Sequence, residues 1–204
     1  MTPASVDRDG NKHLIDAATR VGAEFVLMSI VGASPTSPME LFRAKYAAEE
    51  YLRERSQSWT IVRATAFIEL WAEIMAKPIV FGRGNNPINF TSVDDVAAVV
   101  ERVVVDPDFR GRVIEVGGPK DLTFNELATL LNEQRGRNAK IRHVPRILLR
   151  AAAPLSRRAK AAVVMDTTDM TFDAARTGEA RPGLPLTDPR TALRRIVAGD
   201  PSPT

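Results

Sequence analysis

The chain has 204 residues, 44% of them hydrophobic and 26% charged, with a net charge of +3. That length supports one sizeable core, and the composition is ordinary for a globular protein in water. With no cysteine and two histidines, a disulfide framework, a thiolate metal site, a cysteine nucleophile and a histidine-rich metal centre are excluded. The mild positive balance does not argue for nucleic acid, no apolar run approaches a membrane span, and the N-terminus lacks the charged-then-apolar order of a signal peptide. The expectation is a cytoplasmic protein with a small-molecule substrate, no nucleic-acid partner and no membrane partner.

Residues 1–8 read as irregular. A helix follows from Asp9 or Gly10 to Arg20, with Leu14, Ala17, Ala18 and Val21 on its buried face and His13 in solvent. Gly22 ends it in a left-handed cap. Residues 24–31 form a short run of β-formers, the pattern of a strand buried on both faces. Turn residues 32–38 break it, residues 39–55 are helical in period, and residues 59–63 return to strand. Two strands joined by a helix predict a right-handed βαβ unit in a parallel sheet. Ligands in such sheets bind at the carboxyl ends of the strands.

The helix over residues 39–55 carries an anomaly. At 100° per residue, Leu41, Lys45, Ala48 and Leu52 fall within an arc of about 60°. The arc should face the sheet, and Lys45 sits in its middle. Such a lysine snorkels along the helix, pairs with a neighbour such as Glu49, or lines a polar cleft. Arg43, Glu50 and Glu54 lie on the far side.

Residues 66–75 form a short helix or a partner-facing loop, and residues 78–82 a short strand. Residues 82–87 contain a GxG without a further glycine, a loop rather than a phosphate cradle. After a strand at residues 88–91, Ser92 and Asp95 have capping-box spacing. Asp94 and Asp95 therefore read as helix-start residues rather than catalytic ones. Val93, Val96, Ala97, Val100 and Val104 make the stripe of that helix. A strand at residues 112–116 ends at Gly117. Thr123 and Glu126 form a second capping box, with Phe124, Leu127, Ala128 and Leu131 facing inward and Gly136 at the end. A short strand over residues 140–145 precedes a helical stretch over 146–165, interrupted at Pro154. Its cluster of Arg157, Arg158 and Lys160 reads as a solvated face. Residues from Asp166 are loop-rich, with Pro182, Pro185 and Pro189, before a last helix over residues 189–197.

Several segments together resemble the atypical and extended short-chain dehydrogenase/reductase superfamily, in its NmrA-like, NAD(P)-binding branch. They are the text at Gly10–Ala18, Phe25–Ser29, Lys45–Glu50, Trp59–Arg63, Ile88–Ala97, Glu115–Pro119 and Leu122–Leu127. The likeness covers about residues 6–135 well and the remainder loosely. It implies an α/β fold: the C-terminal half of a Rossmann-like, doubly wound parallel sheet over residues 1–120, and a small C-terminal α+β lobe over residues 121–204. It also implies that Ser29 and Lys45 border the nicotinamide and its ribose, with Lys45 as the catalytic-site lysine. Ala64, Thr65 and Phe67 then close over the ring, and the cofactor is NADP or NAD.

Two departures bear on function. Reductases of the wider superfamily use Tyr-x-x-x-Lys, the tyrosine serving as general acid. Leu41 stands four residues before Lys45, and Tyr46 projects elsewhere; Ala64 also replaces a usual proline. At the front, no strand, Gly-rich turn and pyrophosphate-holding helix precede Gly10, so at ~30 residues per unit roughly 80 family residues have no counterpart. Weak or absent dinucleotide binding is therefore expected, as is self-association or a partner chain over the open edge at residues 25–29. Three functions fit: an oxidoreductase acting on a small carbonyl or quinone-like substrate, a non-catalytic NAD(P)-sensing or partner-binding module, or an inactive truncated remnant.

Overall fold

The computed structural model describes residues 2–56, 58–180 and 185–199; Pro182 lies outside them. A π-helical turn (Ala4–Gly10) runs straight into α1 (Asn11–Arg20). Then come β1 (Phe25–Ile30), α2 (Glu40–Arg55), β2 (Trp59–Ala64), β3 (Ala66–Phe67), α3 (Ile68–Ile74), β4 (Ile79–Phe81) and β5 (Ile88–Thr91). They are followed by α4 (Val93–Val105), β6 (Val113–Val116), β7 (Asp121–Leu122), α5 (Phe124–Gln134) and β8 (Arg142–Val144). The chain closes with α6 (Arg146–Ala152), α7 (Arg157–Met165), α8 (Ala175–Ala180) and α9 (Pro189–Ala198).

The organising element is a parallel sheet in the order β1–β2–β6, with Ser29 opposite Arg63 and Arg63 opposite Glu115. Side chains alternate across a strand, so the sheet has two cores. Leu27 and Ile61 pack with Ile15 of α1 and Ala48 and Leu52 of α2. Val62, Ala64, Ile114 and Val116 pack on the opposite face with Val96, Val99 and Val103 of α4. Helices on both faces of a parallel sheet make this a doubly wound α/β fold. A third core joins α3, α5 and α9 around Phe90 of β5, which pairs with β3 in parallel and β7 in antiparallel. The β5–β7 pairing crosses residue 120. Residues 146–165 break into two helices on either side of Pro154, and β4 pairs with β8.

Several local expectations are corrected. Residues 4–8 are helical, and the buried residue of α1 is Ile15, whereas Leu14 and Val21 are exposed. Ile15 packs against Leu27 and Ile61 of the sheet and Ala48 and Leu52 of α2, and that contact, not the apolar period, sets the buried side of α1. Strand β1 is half-buried rather than covered on both faces, because it is an edge strand of its sheet. In α4 the buried positions are Asp95, Val96, Val99 and Val103, while Val93 and Val104 face water. Valines occur nearly all round this helix, so the 3.6 period admits two registers, and contact with the sheet selects one. Ser92 caps α4 by accepting from the Asp94 amide, and Glu69 of α3 takes the Val93 amide and the Ser92 hydroxyl. Asp95 instead accepts from the Thr187 amide at 2.8 Å and its hydroxyl at 3.0 Å, a tether rather than a capping-box partner. The capping box at Thr123 and Glu126 is present, as expected.

Candidate functional site

The carboxyl ends of β1, β2 and β6 carry a polar row on the α2 face: Ser29, Arg63 and Glu115, in register. Glu49 of α2 reaches into this row and is fully buried. It accepts from Ser29 Oγ at 2.5 Å, Arg63 Nε at 2.9 Å, Arg63 Nη2 at 2.6 Å and Arg53 Nη2 at 3.2 Å. Arg63 also lies 3.5 Å from Glu115, which pairs in turn with Arg176 of α8. A buried carboxylate without partners would be costly; here it has a bidentate guanidinium and a hydroxyl. Its hydrogen bonds push the Arg63 pKa further up, against the opposing effect of burial. The row holds α2 on the sheet, and the Ser29 proton is committed to Glu49.

Lys45 is one turn before Glu49 and points inward. Its Nζ donates to the Met28 carbonyl at 2.9 Å and lies 3.1 Å from Asp7 Oδ1 on the π-helical turn. The Phe25 and Val31 amides donate to the β2 side. Backbone groups alternate in direction along a strand, so the Met28 carbonyl lies on the outer edge of β1. Lys45 therefore covers one acceptor of an otherwise open sheet edge. An ammonium has three N–H donors, and these two contacts use two of them. The amine snorkels to a partner, but that partner is Asp7; Glu49 is taken by Arg63.

The remaining predicted site residues are placed differently. Thr65 is buried, its hydroxyl donating to Asn89 Oδ1 at 2.9 Å and its amide to the Val116 carbonyl at 2.9 Å. Asn89 also accepts from the Gly118 amide and donates to Asp121 Oδ1, so this knot ties β5 to the ends of β2 and β6. Ala64 and Phe67 pack toward the core under α4, so they offer the sheet end their backbone rather than their side chains. Leu41 is half-buried and has no proton to give. Asp7, Glu49 and Asn89 escaped the sequence reading. Asp7 sits in a segment without apolar period; Glu49 was visible only as a possible partner for Lys45.

Lys45 lies along the outer edge of β1, against Met28 and Asp7. Among the described residues no Gly-rich strand-to-helix turn offers a pyrophosphate cradle. The GxG loop is not one: a Cβ on Gly82 would meet Asp166 at 2.4 Å. Nor do the described residues group three acidic, histidine or cysteine side chains around a metal position, and none of their helices is long and apolar enough to cross a membrane.

Residues 1–107 match the family described as NAD(P)H-binding. The chain belongs to the NAD(P)H-binding family. Within it the affinity is to the atypical short-chain dehydrogenase, NmrA-like group. An NmrA-like family domain-containing oxidoreductase of Aspergillus flavus is 22% identical over 204 residues, covering 92% of this chain and 66% of its own length. A photosystem II assembly factor of Cyanophora paradoxa is 29% identical, over 72% of this chain and 48% of its own. The fold matches an NADPH-dependent quinone oxidoreductase of Escherichia coli, solved with NADPH, at a TM-score of 0.71 and 23% identity, covering 93% of this chain and 70% of that one. The chain spans about half the length of the first curated relatives it matches.

Proposed function

We propose that this chain is the nicotinamide-side part of a cytoplasmic NAD(P)-dependent oxidoreductase of the NmrA-like type, acting on a small carbonyl or quinone-like acceptor. The observation that carries the reading is the inward Lys45 amine, held by Asp7 and by the Met28 carbonyl on the edge of β1, with two of its three N–H donors used. Family membership and a fold shared with a quinone oxidoreductase support it. When bound, the nicotinamide supplies or accepts the hydride. Lys45 orients the ribose, and the backbone at Ala64, Thr65 and Phe67 borders the ring. Ser29, its O–H donating to Glu49, has only acceptor capacity left and keeps α2 in place. With Leu41 where a tyrosine acid would stand, the proton for a reduced carbonyl comes from water.

Because the described residues hold no pyrophosphate cradle, affinity is expected to be weak. Calorimetric titration of the 204-residue chain with NADPH and with NADH should give binding weaker than low micromolar, further weakened in Lys45→Met. Tight, saturable binding to the soluble monomer, unchanged in Lys45→Met, would refute both the role of Lys45 and the weak-binding expectation. Oxidation of NAD(P)H with a panel of quinones and aldehydes then tests turnover. A second reading, a non-catalytic sensing or partner-binding module, is favoured by Leu41 and by the assembly factor among the relatives. Cofactor binding with no oxidation of any acceptor would select it.

A further inference from the structure

Charge is segregated along this chain. The 32 residues from Gln134 to Met165 hold nine lysines and arginines and neither aspartate nor glutamate. The whole chain is +3, so the remaining residues are net −6. Three of the nine cations have structural partners. Arg135 donates to the Ala72, Met75 and Ala76 carbonyls at the end of α3, Arg146 pairs with Asp166 at 2.6 Å, and Arg157 with Glu40 at 3.4 Å. Arg137, Lys140, Arg142, Arg150, Arg158 and Lys160 make no ion pair among the described residues.

The centre of this stretch is the helical hairpin of α6 and α7. Leu149 turns into the molecule, but Ile147 is 75% exposed, Leu148 58% and Leu155, at the tip, 94%. No residue of α7 is buried. Large aliphatic side chains held in water beside unpaired cations are the composition of a surface that lies in a bilayer interface: the aliphatic groups enter the acyl boundary and the cations meet anionic headgroups. The stretch contains no phenylalanine, tyrosine or tryptophan, and so lacks the stacking platforms of a single-strand nucleic-acid surface.

We propose that the α6–α7 hairpin docks this chain peripherally on an anionic lipid bilayer, with Leu155, Ile147 and Leu148 inserted and Arg150, Arg158 and Lys160 on the headgroups. None of the helices of the described residues is long and apolar enough to cross a membrane, and a hairpin that lies on a bilayer needs no such helix. This inference is independent of the proposed enzymatic role.

Sedimentation of the full 204-residue chain with phosphatidylcholine vesicles, with and without phosphatidylserine, tests it. Binding is expected to the phosphatidylserine vesicles alone and to fall at high ionic strength. Arg150→Glu/Arg158→Glu/Lys160→Glu should weaken it by at least about tenfold. Leu155→Ser/Ile147→Ser, which keeps every charge, should weaken it severalfold at low salt; both sets lie on exposed positions, and circular dichroism confirms that they fold. No binding to phosphatidylserine vesicles overturns the proposal. So does binding that ignores the leucine and isoleucine changes, or that is matched by a homopolymeric RNA, since the hairpin would then be a general polyanion surface.

Discussion

At the scale of single residues, the buried Glu49 decides the most. It joins Ser29, Arg63 and Arg53, and through Arg63 the row reaches Glu115 and Arg176. Removing one member of a buried ion pair strands the other in a low-dielectric site. Arg63→Met leaves the Glu49 carboxylate with only Arg53 and Ser29, and should cost about 3 kcal/mol in urea unfolding. Glu49→Gln, which keeps shape and removes the charge, should cost less. Equal stability of Arg63→Met and wild type would show that the row does not hold α2 on the sheet. The sequence offered Glu49 only as a possible partner for Lys45; its pairing with Arg63 was not legible, because Arg63 belongs to a strand whose neighbours a local pattern does not name.

At the scale of elements, helix caps were the most legible features. Thr123 and Glu126 form the expected capping box; Asp188, which the sequence reading did not single out, caps α9 by accepting from the Arg190 amide at 2.8 Å. Thr123→Ala should cost about 1 kcal/mol in thermal or urea unfolding. Hydrogen bonds from the Thr123 backbone and hydroxyl lower the Glu126 pKa, and a hydrogen bond from Lys120 lowers that of Asp188. A carboxyl whose folded pKa lies below its unfolded value binds fewer protons when folded. Its stabilisation is complete above the ordinary carboxylate range and is lost as pH falls through the lowered folded value. Thermal melts at neutral pH and at about pH 3 should therefore show Glu126→Gln less stable than wild type at the first and closer to it at the second. A gap that widened in acid would contradict the sign. The capping reading failed at Asp95, whose tether to Thr187 joins residues far apart in sequence.

At the scale of the whole molecule, the open edge of β1 and the cationic hairpin are surfaces with unmet chemistry. Lys45 covers the Met28 carbonyl, a common device for blunting an edge, but Val26 and Met28 keep outward amides. Sedimentation velocity should show self-association of the 204-residue chain at micromolar concentration, and hydrogen exchange should slow at Val26 and Met28 as it forms. A monomer at every concentration, with fast exchange at both, would mean that Lys45 and Asp7 suffice to close the edge. The sequence by itself determined the types of the main strands and helices between residues 10 and 134, the caps at Thr123 and Ser92, the α/β class and the inward position of Lys45. Periodicity and turn chemistry are local, and these features depend on residues within a few positions of one another. Only the tertiary structure decided that Lys45 meets Asp7, that Glu49 meets Arg63, that Asn89 knots Thr65 to Gly118, and which valines of α4 are buried. Each is a contact between elements, and a repeating apolar pattern states which face of an element is buried without naming what covers it.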